Sequence, residues 1–195
     1  MEFQPLMVFA IKPNAVPLVH LQNAIDAEGY PMSFGISIAG DADGDALIGA
    51  GWDAIFVRWK DPEVHEVAVL ERGTISDDED AQDILAVAQQ MVTSSDDEVG
   101  VTIVADHLSK TQCVYALELM PALLDNDEHQ AWEGLDILLR SLAEHTDGLV
   151  YAQGEGFCSP DGELLLLEPV TDEEYYETTT GRNGTQEHPT ESPRN

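Results

Sequence analysis

LIGAGWDAIFVRWKDPEVHEVAVLE (47–71) is the stretch that decides the fold class. β-Branched and aromatic residues crowd its first half and valines its second, and the turn-former Lys60-Asp61-Pro62 separates them. Two apolar runs joined by so short a turn pair as antiparallel neighbours. A parallel pair would need a crossover of roughly a dozen residues or more. The pattern predicts a strand over 47–59, whole or split around Gly49 and Gly51, and a second over 64–71. Strict alternation puts Trp52 and Phe56 on one face of the first strand and Trp59 on the other. Core packing accounts for such rings, and one left at the surface would mark an interface. Trp52 and Trp59 are therefore candidates for contact with a partner.

Toward the N-terminus, Leu6–Ile11 reads as a strand ended by Pro13 and Asn14. Leu18, Leu21 and Ile25 then recur at helical spacing, with Pro17 tolerated in the first turn and Gly29 closing the helix. Ser33–Ala39 reads as a strand, and GDADGD (40–45) as a turn. Toward the C-terminus, Ser76 and Glu79 have the spacing of a capping box. The helix it opens carries Ala81, Ile84, Leu85, Ala88 and Met91 on one side. VGVTIVA (99–105) predicts a short buried strand. Ser109 and Gln112 suggest a second capping box and a helix toward Leu119, distorted or ended by Pro121. Asp125–Glu128 starts a helix with Trp132, Leu135, Leu138, Leu139 and Leu142 as its apolar face. Leu149–Ala152 and Glu163–Glu168 read as a closing hairpin around the turn Ser159-Pro160-Asp161-Gly162. The expectation is one α+β domain over residues 1–170, a mixed and mostly antiparallel sheet with about four helices packed on it. Residues 171–195, without apolar periodicity, read as a flexible polar tail.

The chain carries 38 Asp plus Glu against 8 Lys plus Arg, a net charge of −30. Six of those acids and two of the arginines lie beyond residue 170, so twenty-six of the thirty excess charges belong to the domain. Apolar residues make up 43% of the chain, too many for a disordered acidic polymer. No basic stripe exists for phosphate contacts, which argues against direct binding of nucleic acid or of anionic membranes. The N-terminus lacks the basic start of a secretory signal, and no run reaches membrane-span length, so a cytoplasmic location is expected. Cys113 and Cys158 belong to no paired motif and read as free thiols.

Asp41, Asp43 and Asp45 alternate like the first half of a calcium loop, in which oxygens at alternate positions wrap one cation. Ala46 stands where that loop needs glycine, and Trp52 where it needs a closing acid, so a solvated hairpin loop explains the acids better than a calcium site does. Asp106 and His107 follow the run predicted as a strand, with Ser109 and Cys113 nearby; acid–base or nucleophilic chemistry would use such groups if they converged. Helix capping by Ser109 and burial of Cys113 are the competing explanations. The histidines show no metal-ligand spacing, and Gly154-Glu155-Gly156 lacks the lysine of a phosphate loop. No cofactor is expected.

HTDGLVYAQGEGFCSPDGELLL (145–166) is similar to the helix-strand-hairpin endings of small acidic immunity-type proteins. That resemblance implies a non-enzymatic protein whose acidic surface covers a basic protein partner, with charge complementarity speeding encounter. Asp77, Asp78 and Asp80 form one candidate patch for it. An enzyme centred on Asp106/His107 or on the 41–45 acids is the alternative, and an acidic structural or adaptor domain of a salt-adapted proteome is a third. Binding would show as a concave acidic face with a Trp or Tyr at its centre. Catalysis would show as a deep pocket of converging polar groups.

Overall fold

The computed structural model describes residues 4–36, 51–61, 63–124 and 129–168. The 41–45 acids, the expected helix start at 125–128 and the expected tail at 171–195 lie outside them. Along the described chain run β1 (Leu6–Ala10), α1 (Leu18–Glu28), β2 (Met32–Gly35), β3 (Ala54–Trp59), β4 (His65–Thr74), α2 (Glu79–Thr93) and α3 (Glu98–Leu108). Then come β5 (Cys113–Leu119), the single turn α4 (Pro121–Leu124), α5 (His129–Thr146), β6 (Gly148–Ala152), β7 (Gly156–Cys158) and β8 (Leu164–Leu167). The fold is α+β, as the pattern predicts. All eight strands form one sheet in the order β2-β3-β4-β5-β1-β6-β7-β8, and each neighbouring pair is antiparallel.

β1 holds the molecule together. It lies between β5 and β6, with Val8 opposite both Tyr115 and Val150. A cut between the N- and C-terminal halves would sever both pairings, so the halves form one domain. Helices cover both faces of this strand, which is why LMVFA reads as a continuous apolar run and does not alternate with polar residues. Val8 and Ala10 pack with Leu21, Ile25, Leu135 and Leu142 of α1 and α5. Met7 and Phe9 pack on the other side with Ala81, Ile84, Val104 and Leu108 of α2 and α3.

Several local expectations are corrected. VGVTIVA (99–105) is helical, within α3. Asp97 caps this helix, its Oδ1 accepting from the Val99 and Gly100 amides at 3.1 Å each. Gly100, Val104 and Leu108, four residues apart, are the buried positions. A short apolar run does not separate a buried strand from a helix, and here the cap and the packing outweigh the β-branched composition. Ser109 consequently ends a helix where it was expected to start one, its Oγ donating to the Asp106 carbonyl at 2.7 Å. The helix expected toward Leu119 is β5, five of whose seven residues are buried on a sheet covered on both sides. Pro121 neither distorts nor ends a helix but opens α4, where its missing N–H costs nothing. The cap of α2 is Asp78, not Ser76: its Oδ1 accepts from Asp80 and Ala81 at 3.0 and 3.2 Å. Ser76 donates instead to Asp77 at 2.9 Å. The closing hairpin contains an additional strand, β7, between its two expected arms.

Candidate functional site

The two layers of helices cover the sheet unequally. On β6, β7 and β8, Tyr151, Phe157 and Leu166 point to the α2/α3 side, and each is 1% exposed. α3 seats directly on β8 there: a methyl group on Gly100 would collide with the Leu165 carbonyl. Cys158 pairs with Leu164, and Gly156 with both Ala152 and Leu167, which places the two leucines on the opposite face with Ala152 and Cys158. No described helix covers them there, and Leu164 and Leu167 are 52% and 58% exposed. β8 is also the edge of the sheet among the described residues.

Beside this uncovered strip, between it and α5, lies a cleft of about 530 Å³. Its floor is apolar, from Leu6 of β1 and from Val150 and Ala152 of β6. Ile137 and Leu139 of α5 line it as well, and Cys158, Ser159 and Gly162 close the far side. Trp132, Glu133, Asp136 and Arg140 reach it because positions three and four apart share one face of a helix. Trp132 is 37% exposed, and Tyr30, just past the α1 cap Gly29, stands at the same end.

Hydrogen bonds fix the polar groups of the cleft. The Tyr30 hydroxyl donates to Glu133 Oε2 at 3.0 Å, and this bond, more than any other influence, raises the tyrosine's pKa. Arg140 Nε reaches Asp136 at 2.8 Å, and its guanidinium abuts Gly162, so it is held between α5 and the 159–162 turn. The Ser159 hydroxyl donates to Asp161 and thereby lowers that carboxyl's pKa. Burial, followed by the charge of Glu155, raises the pKa of the Cys158 thiol, with Arg140 opposing. A thiol so held is protonated at neutral pH and is a poor nucleophile. Three carboxylates (Glu133, Asp136 and Glu155) face one guanidinium over an apolar floor. The arrangement suits a ligand with an apolar stem and a positive charge.

The residues singled out from sequence lie elsewhere. Asp106 and His107 sit in the last turn of α3. Asp106 pairs with Lys110 at 2.6 Å, and His107 Nε2 lies 2.8 Å from the Phe9 carbonyl. Burial lowers the pKa of that imidazole. Cys113 is buried in β5, with its thiol pushed up to about 11 by burial. The structure does not bring these groups to a common cavity. Trp52 and Trp59 are 5% and 3% exposed and belong to the α1/α5 core. The expected split of faces fails because β3 begins only at Ala54. Trp52 lies outside the alternation, its Nε1 donating to the Val16 carbonyl at 2.9 Å. Neither ring is available to a partner. Asp77 and Asp80 are exposed at the start of α2, while Asp78 is committed to the cap.

Sequence reading assigned Trp132 to a core-facing stripe and missed the cleft. The signal was Glu133, Asp136 and Arg140 recurring around that tryptophan on the polar side of the same helix. No group of metal-holding side chains occurs among the described residues, and no described helix is long and apolar enough to cross a membrane. The chain matches no family model, no curated protein and no solved structure.

Proposed function

We propose that this protein acts by binding a basic protein partner, and that the cleft beside Trp132 holds that partner. One observation carries the reading: among the described residues, β7 and β8 are sealed on one face and covered by no helix on the other, and that uncovered face adjoins an aromatic, carboxylate-lined cleft. A surface tryptophan in a concave, partly apolar setting is the common anchor of protein interfaces. Carboxylates around it favour a cationic partner and disfavour others. The protein's activity is then occupancy: it covers a basic surface, as an inhibitor or immunity protein does.

Affinity capture from a cell extract across a salt series tests this reading. A basic protein should be retained at low salt and released as salt rises. The paired variant Glu133→Lys/Glu155→Lys should abolish retention, while Asp77→Lys/Asp80→Lys, on the α2 side of the sheet, should leave it intact. Retention of no basic protein at low salt would refute the reading. Loss with the α2 variant alone would assign binding to the opposite layer.

A further inference from the structure

We infer that the element seated on the β7–β8 face, which no described helix covers, is an amphipathic basic helix of the partner, lying alongside α5; this rests on the basic-partner reading above. The dimensions carry the argument. Hydrogen-bonded strands lie about 4.8 Å apart, so β8 lies roughly 10 Å beyond β6, on which α5 packs, and that is about one helix diameter with its side chains. α1 and α5 already pack on this side of the sheet, and α5 forms the wall of the vacant strip. A helix laid there would meet α5 at the usual interaxial distance of roughly 8–10 Å.

The chemistry has two stripes. Leu164, Leu167, Ala152 and Cys158 supply an apolar strip, and the first two are more than half exposed. Glu133 and Asp136 on α5, with Glu155 in the β6–β7 turn, supply the negative charge beside it. An amphipathic helix presents apolar residues at i, i+3, i+4 and i+7, flanked by its polar residues. Leucines or their equivalents would rest on β8, and lysines or arginines would reach the α5 carboxylates. Strand addition at the β8 edge is the competing geometry. It would leave the cleft empty, because the cleft lies over the sheet face and not beside its edge.

Two leucine–lysine peptides of equal composition and about eighteen residues, long enough for a helix to form on contact, test the inference. One is patterned at helical spacing and the other in strict alternation. Trp132 fluorescence reports binding, because Trp52 and Trp59 are buried. The helical pattern should bind at least about tenfold tighter, a difference of about 1.4 kcal/mol, and should gain helical circular dichroism on binding.

The decisive variant is Leu164→Glu/Leu167→Glu, with its own circular dichroism as the check on folding. It adds two negative charges while removing the apolar strip. Helix seating predicts weaker binding, by about tenfold. Capture by charge alone predicts tighter binding, and that result, or equal affinity of the two peptides, would overturn the helix while sparing the basic-partner reading. If neither these peptides nor polylysine binds at low salt, the parent reading falls as well. A dimer of the protein alone that Leu164→Glu/Leu167→Glu dissolves would make a second copy the occupant and also overturn the inference.

Discussion

At the scale of single residues, side chains chosen for local geometry carry much of this structure. Asp78 satisfies two amides at the start of α2. Asp78→Ala should cost about 1 kcal/mol, as loss of a helix cap does, read as a lower urea midpoint with an unchanged slope. Ser76→Ala should cost far less, since Ser76 does not cap the helix; equal losses would restore Ser76 to the capping role. His107 gives a pH dependence. Burial holds its folded pKa below the free value of 6.5. The folded state therefore binds the proton less readily than the unfolded one. The stability this contributes is complete above pH 6.5 and is lost as pH falls through the folded pKa. His107→Gln should flatten the fall in urea midpoint between about pH 7 and pH 5, and an unchanged slope would refute it. Much at this scale was legible: Gly29 closes α1 in the left-handed conformation, at φ 81°. The cap of α2 was read at Ser76 because Ser76 and Asp78 are both good caps and only the fold chooses between them.

At the scale of elements, legibility depended on whether a segment's neighbours could be inferred. β3 and β4 were readable because their turn makes them each other's neighbours. α1 and α5 announced themselves by spacing. α3 and β5 were exchanged in type: α3 is rich in β-branched residues, and β5 carries the better helix formers Ala116, Leu117 and Glu118. What decides both is contact with partners distant in sequence. β5 fills the gap between β4 and β1, and α3 lies on β8. Gly100 allows that last approach. Gly100→Ala improves intrinsic helix propensity but drives a methyl group into the Leu165 carbonyl. It should therefore destabilise the protein by about 1–3 kcal/mol, the usual cost of overpacking. Greater stability in thermal melts would mean that α3 stands further from β8 than the structure has it. The cleft was illegible for the same reason: its walls come from β1, α5 and the β6–β8 turns, and only the sheet order brings them together.

At the scale of the whole molecule, charge is the dominant fact. Lys12, Arg58, Arg72, Lys110 and Arg140 each pair with an acid among the described residues. Eight basic residues against 38 acids leave most carboxylates uncompensated. The exposed pairs among them, those of Lys12, Lys110 and Arg140, contribute about 0–1 kcal/mol each, too little to offset self-repulsion spread over a domain with twenty-six excess charges. Added salt screens that repulsion, with the Debye length shrinking from about 30 Å at 0.01 M to about 3 Å at 1 M. The melting temperature should consequently climb across that range. A basic partner does the same job locally and specifically, so it should raise the melting temperature most where salt is lowest. On the proposed reading the two effects compete, because salt that stabilises the free protein would also weaken capture of a basic partner. A melting temperature indifferent to sodium chloride would mean that the acids are spaced to avoid one another. Relief of self-repulsion would then add nothing to a partner's effect, and any rise in melting temperature on binding would come from the contacts alone.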